Sequence, residues 1–407
     1  MTTKTPLDRR GFMRITGTYG LTSTMLGALG LIGPLTLEGV GQAAAQTAAA
    51  RNGKAQFNFK FGAAGFNEES LEIMESGQIW FARELEKRSD GAIKVDFIGS
   101  NQICNELDCI KKTQQGIVDL FTASTQNSAG AAPYYNVLDF AYMFPSRASL
   151  HYFFYHPRSE ALLREPLRRL HNVQFLFTHC ELRGLMLGPK YKDEPTVTKL
   201  SDLAGTKNRV TGTQLGRIAM ELMELGPMPL AWEETVDGLK SGLLDGAETW
   251  MSAAAWAGLS PMMSQAVDLR FFSGTEHTAM NNKTFEKLPA KLQDVVMETS
   301  YAAQQYTQRE NERALIERVG AVESPGPETI FGQNNVRVAM LSDEEIKKAE
   351  QASAPEFNPK PWEMWRERLN KMQGGADTYQ EIHSIAREIP LDTKPENVKP
   401  RRWWQSA

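Results

Sequence analysis

Apolar positions along this chain first alternate and then recur at helical spacing, and the two periods trade places repeatedly. Phe57 to Gly62 alternates as a strand does. Ser70 to Arg88 carries Leu71, Met74, Ile79, Phe81 and Leu85 at helix-like spacing, and Ser89-Asp90-Gly91 stops it. Ala92 to Ile98 reads as a second strand and Glu106 to Gly116 as a helix. Ile117 to Thr122 reads as a third strand, ending in the polar run Ser124-Thr125-Gln126-Asn127-Ser128. This β-α-β-α-β order predicts a parallel sheet with helices on its faces. Ligands collect at the carboxyl ends of such strands, where Phe66-Asn67 and Ser124-Thr125-Gln126 fall.

Leu150 to Leu170 is helical in pattern, Gln174 to His179 is strand-like, and Tyr191 to Thr198 is a charged connector. Leu200 to Val210 opens a second unit. Thr213 to Leu225 reads as a helix ended by Gly226-Pro227, Glu233 to Gly242 as another, and Leu244 to Trp250 crosses from turn to strand. Pro289 to Val319 is a long helix with proline in its first turn, spanning roughly 45 Å at the α-helical rise. Past Pro355 the chain holds Trp362, Trp365, Trp403 and Trp404, which are expected to cover apolar surface on the body of the protein.

The first residues follow a different logic. Leu7-Asp-Arg-Arg-Gly-Phe-Met-Arg-Ile15 pairs two arginines ahead of a weakly apolar, glycine-rich stretch reaching Leu37, and a run of alanines follows. That is the pattern of a twin-arginine export signal. A membrane anchor is the alternative, but Thr16, Gly17, Thr18, Gly20, Thr22, Ser23, Thr24 and Pro34 dilute the span. Ala-x-Ala sites end at Ala45 and Ala50, so residues 1–50 are expected to be cleaved and the remainder to work in the periplasm, without direct membrane insertion.

What remains after Ala50 exceeds one hydrophobic core and suits two domains. With 41% hydrophobic and 23% charged residues the composition is globular. Residues 1–50 carry a charge of +2, so the formal charge of −4 becomes −6 without them. Such a protein has no electrostatic attraction to nucleic acid or anionic lipid, and an anionic ligand would need locally placed arginines. Cys104 and Cys109 form a candidate disulfide in an oxidising compartment, provided a turn or frayed helix start brings them together; two reduced cysteines are the alternative. Cys180 reads as a small buried residue.

A chain exported folded invites a search for redox chemistry. Iron-sulfur and haem cysteine motifs, a Gly-x-Gly-x-x-Gly turn, a P-loop and a Gly-x-Ser-x-Gly elbow are all absent. The histidines at 151, 156, 171, 179, 277 and 383 offer no pair at helical metal-ligand spacing.

What stands out is Leu200-Ser-Asp-Leu-Ala-Gly-Thr-Lys-Asn-Arg-Val210, then Leu225-Gly-Pro-Met-Pro-Leu230, Trp232-Glu-Glu234 and Leu239-Lys-Ser-Gly-Leu-Leu-Asp-Gly-Ala-Glu248. In this order they resemble the extracytoplasmic solute receptors of TRAP transporters, the DctP or dicarboxylate-receptor type. Gln114-Gln-Gly-Ile-Val-Asp119 and Phe285-Glu-Lys-Leu-Pro-Ala-Lys-Leu-Gln293 extend the resemblance over most of the chain. It implies an α/β, two-domain periplasmic binding protein fold with a ligand cleft between the domains. Residues 51–182 with about 275–290 would form the first domain and 183–274 the second; 289–319 would be a helix shared by both, and 320–407 a segment packing across the body.

The resemblance also assigns residues. The arginine of the family's K-x-R strand falls on Arg209, whose guanidinium would fork onto a ligand carboxylate; spacing alone leaves it between that role and a solvated strand end. Thr249 stands where sialate-binding relatives have asparagine, and Pro189 where they have a second arginine, which implies a different acid. Arg183 matches a G-x-R strand position facing the cleft or the domain seam. Trp250 would stack on the ligand or sit in the core, and Glu248 would brace Arg209 or the hinge, or help hold a cation on the ligand carboxylate. Asn67 and Gln126 sit in loops of the first domain that would choose the ligand.

The expectation is therefore a monomeric periplasmic receptor without a cofactor, closing on a small organic acid and passing it to TRAP transporter membrane subunits. The rivals are a periplasmic enzyme or cofactor-bearing protein acting on a carboxylate, and a ligand-sensing module for a membrane kinase.

Overall fold

Strand and helix segments alternate along the chain and assemble around two mixed sheets in this computed structural model, which describes residues 55–405. The expected export signal, residues 1–50, lies outside the described residues. The strands are β1 (Phe57–Ala63), β2 (Ile93–Ile98), β3 (Leu120–Ser124), β4 (Val173–Thr178), β5 (Glu181–Leu187) and β6 (Lys207–Val210). They continue with β7 (Gly226–Pro229), β8 (Gly246–Thr249), β9 (Gln265–Gly274), β10 (Glu276–Asn281) and β11 (Arg337–Ala339). No helix among the described residues is long and apolar enough to cross a membrane.

Contacts divide the chain into a small unit, the described residues up to Phe59 with Ala82–Asp96, and a large one, Lys60–Phe81 with Phe97 onward. In the small unit, Gln56 and Phe57 donate their amides to the Ala92 carbonyl, and Phe59, Leu85 and Ile93 are buried. The turn between helix and strand places Asp90 at φ 52° and Gly91 at φ 76°.

The large unit holds the strand order β1-β3-β10-β4 and the second sheet, β11-β9-β5-β8-β6-β7. The sheet expected to be parallel is mixed. β1 and β3 are parallel, with Phe61 opposite Leu120, but β10 inserts antiparallel to both β3 and β4. β9 and β10 escape the sequence reading and β5 enters it only through the strand position of Arg183, since all three are buried along most of their length and do not alternate cleanly. β4 leads through His179-Cys180 into β5, and β9 leads through Thr275 into β10, so two adjacent crossings link the sheets. At that crossing the Glu276 amide donates to His179 Nδ1 at 3.1 Å.

The single helix expected over Ser70–Arg88 is two, Glu68–Met74 and Gln78–Arg88. Glu75 at φ 53° and Gly77 at φ 90° break it, and a side chain at Gly77 would meet Thr307 Cγ2 at 2.8 Å. Leu150–Leu170 is likewise interrupted, as Arg147–Tyr155, a π-helical stretch Glu160–Arg164, and Glu165–His171. The long helix runs from Ala290 to Tyr306 and continues through π-helical Thr307–Asn311 and Leu315–Val319. Trp362, Trp365 and Trp403 are buried in apolar clusters, as expected for the tail, and Cys180 is buried.

Candidate ligand cavity

Two parallel pairs of strands, β1 with β3 and β6 with β8, end at one place inside the large unit. Phe66 follows β1, Ser124 closes β3, Arg209 and Thr211 lie at the end of β6, and Thr249 and Trp250 end β8; all line one cavity. Glu106, Asn127, Arg183, Trp232, Ala253 and Glu276 complete its wall. Its volume is about 20 Å³, little more than one water requires. A larger space of about 210 Å³ adjoins it, sharing Glu106, Asn127, Arg209 and Trp232, with Leu107 and Glu233 at its wall.

The two arginines differ in how they are held. Arg183 on β5 is 1% exposed and donates through Nη1 to Glu248 Oε1 at 2.6 Å and through Nη2 to Gln126 Oε1 at 3.0 Å. Its guanidinium lies 4.6 Å from the centre of the Trp250 ring. Arg209 on β6 is 2% exposed and donates only Nε, to the Leu230 carbonyl at 3.0 Å. Its guanidinium sits 5.2 Å from the Trp232 ring, and its two terminal nitrogens bond to no described residue. Burial pulls its pKa down to about 10, with Arg183 adding to that and Glu248, Glu106 and Glu233 opposing it. It remains cationic throughout the physiological range.

Carboxyl groups face these cations. Glu106 sits in the loop closed by the Cys104–Cys109 disulfide. Asn105 Oδ1 accepts from the amides of Leu107 and Asp108, which turns Leu107 outward and Glu106 inward. Glu106 Oε2 accepts from the Ser124 amide and from Asn127 Nδ2. Glu276 on β10 accepts at Oε1 from Thr122, and its buried Oε2 has no partner among the described residues. Burial raises the pKa of both, that of Glu276 well above its ordinary value.

A polar layer supports the wall. Gln126 Nε2 donates to Asp139 Oδ1 at 2.6 Å and to the Ser273 carbonyl at 2.7 Å, which fixes the Oε1 that receives Arg183. Burial raises the Asp139 carboxyl to about 7 and the Glu181 carboxyl, which accepts from Ser252, to about 7. It lowers His179 to about 3, so that ring is neutral.

Arg209, Arg183, Thr249 and Trp250 thus line the cavity, while Glu248 and Gln126 stand behind Arg183 and hold it. Asn67 does neither: it is exposed, and its Oδ1 caps the helix Glu68–Met74 by accepting from Ser70, while its neighbour Phe66 lines the wall. Sequence reasoning missed Glu106, Asn127, Thr211 and Glu276. An acidic residue inside a strand buried along its whole length was the available signal for Glu276, whereas Glu106 lies between exposed Asn105 and Leu107 and carried none. Among the described residues the one group of three potential metal ligands within 4.8 Å is Cys104, Asp108 and Cys109, whose sulfurs are joined and offer no thiolate.

Comparison with known proteins agrees with this architecture. The chain is 25% identical over 292 residues to the ectoine-binding periplasmic protein TeaA of Halomonas elongata, covering 70% of this chain and 79% of that one. A TRAP periplasmic solute-binding protein from Sulfitobacter sp. NAS-14.1, solved with β-D-galacturonate, superposes with a TM-score of 0.63 at 18% identity, covering 82% of this chain and 100% of that one. Another, from Haemophilus influenzae with L-gulonate, does so with a TM-score of 0.67 at 13% identity, covering 81% and 100%. The α/β fold of those two-domain receptors is therefore the fold of this chain. The family description for bacterial extracellular solute-binding protein, family 7 (DctP), matches residues 67–358, and the chain belongs to that family.

Proposed function

We propose that this chain is the ligand-capturing receptor of a TRAP transporter and that it holds a small organic acid by its carboxylate on Arg209. One observation carries the reading: Arg209 is buried at the cavity with Nε fixed on Leu230 while both terminal nitrogens lack a partner among the described residues. A planar carboxylate satisfies two parallel N–H donors at once. The relatives solved with galacturonate and gulonate support an acid as the ligand class.

Capture works by differential affinity. The cavity's small volume places the walls around Arg209 and Glu106 close together, so a ligand enters by separating them and is buried when they return. It shifts the protein toward the closed form only as far as it binds that form better. No bond is made or broken, and the closed form is what the membrane subunits receive. Arg9-Arg10 point to export by the twin-arginine route, and a monomer is the working unit.

A thermal-shift screen of refolded protein against carboxylates, sugar acids, keto acids and amino acids tests the reading. A compound at about 100 times its Kd adds roughly 2.7 kcal/mol. Stabilisation by acids that disappears in Arg209→Ala supports it, and a panel without any stabilising acid contradicts it.

A further inference from the structure

Resting on that reading, we propose that the acid is a zwitterion, with its carboxylate on Arg209 and an N–H-bearing cationic nitrogen on the free oxygens of Glu106 and Glu276. The cavity wall carries both donors and acceptors. Arg209 brings two unpartnered terminal nitrogens, and Arg183 Nε and Trp250 Nε1 are buried donors without a partner among the described residues. The same wall also carries acceptors: the partnerless Glu276 Oε2, on a residue with no exposed surface, and Glu106 Oε1, whose sister oxygen alone takes Ser124 and Asn127. A ligand that satisfies both sets carries an acceptor pair at one end and N–H or O–H donors at the other.

Charge decides between those donors. Arg183 is neutralised by Glu248, which leaves one guanidinium, Arg209, facing two carboxyl groups, Glu106 and Glu276. A purely anionic ligand would pair with Arg209 and leave both buried carboxyl groups without a cation, whereas a zwitterion supplies one. Hydroxyls would fill the hydrogen bonds without correcting the charge. Burial raises the pKa of Glu106 and Glu276, with Glu106 adding to the rise at Glu276, and a ligand cation beside them would lower both. A quaternary ammonium fits poorly, since it offers no N–H and both indoles already carry an arginine, Arg183 on Trp250 and Arg209 on Trp232.

Calorimetry on refolded full chain tests this with pairs of similar shape: proline against cyclopentanecarboxylate, alanine against lactate, and 4-aminobutyrate against glutarate. The expected result is tighter binding of a zwitterionic member by roughly 30-fold or more. Glu276→Gln, or Glu106→Gln should the first fail to fold, is expected to erase that preference while the anionic member still binds. Equal or tighter binding of the anions, or an equal loss of both members in the variants, overturns the zwitterion and leaves the carboxylate reading in place. Failure of every pair contradicts both.

Discussion

Arg183 Nη1 and Glu248 Oε1 meet at 2.6 Å with both side chains 1% exposed. That pair fixes the division of labour between two arginines that look alike in sequence. One is consumed by a buried partner and by Gln126, and the other keeps its terminal nitrogens for a ligand. Removing one member of a buried pair strands the other as an uncompensated charge. Glu248→Gln is therefore expected to lower stability by about 3 kcal/mol or more in urea denaturation. A variant as stable as the parent would show that Glu248 does not neutralise Arg183.

The residue after Arg183 is equally constrained. β5 and β9 shift register between Arg183 and Leu185, and a Cβ at Gly184 would lie 2.1 Å from the Val267 carbonyl oxygen. Gly184→Ala forces the strands apart and should cost about 1–3 kcal/mol or prevent folding. An unchanged melting temperature would contradict the close approach.

Asp139 supplies a pH signature. Its folded pKa of about 7 lies above its ordinary 3.8, so the folded protein holds this proton over the interval between them and the unfolded chain does not. Stability from this group is fully present below the lower value and is lost progressively as pH rises through the upper one. The neutral histidines His151, His179 and His277, each lowered to about 3, act in the opposite sense, so the whole-protein curve mixes the two. The comparison with Asp139→Asn isolates the carboxyl. The variant keeps an acceptor for Gln126, and its stability relative to the parent should climb between pH 5 and about pH 7 and then level off. A pH-independent difference would mean Asp139 titrates normally.

The disulfide should matter more for the cavity than for the fold. It closes a loop of sequence separation 5, worth about 2 kcal/mol in chain entropy, and Glu106 stands inside that loop. Replacing both cysteines with serine is expected to lower stability by no more than that while weakening ligand binding measurably. Unchanged affinity would separate the loop from ligand binding.

How much of this could be read from the chain depends on range. Arg209, Thr249 and Trp250 were legible through the family resemblance carried by Leu200–Val210 and Leu239–Glu248, since spacing alone left Arg209 between a ligand role and a solvated strand end. The parallel β1–β3 pair was legible from the alternation of strand and helix patterns along the chain. β10 was not, since its place between β3 and β4 comes from residues more than 90 positions distant. Glu276 travels on that strand, so its presence at the cavity is a tertiary fact. Asn67 shows the converse: a polar residue at a strand-helix junction suits a ligand and a helix cap equally, and the local amides of the helix claim it.

The most direct test of the account is calorimetric titration of one stabilising acid into the refolded parent and into Arg209→Ala. The account predicts a loss of at least roughly 30-fold in affinity, since a buried carboxylate is left without its fork. It also predicts no large loss of stability, because Arg209 holds only the Leu230 carbonyl. Parental affinity in a folded Arg209→Ala protein would contradict it.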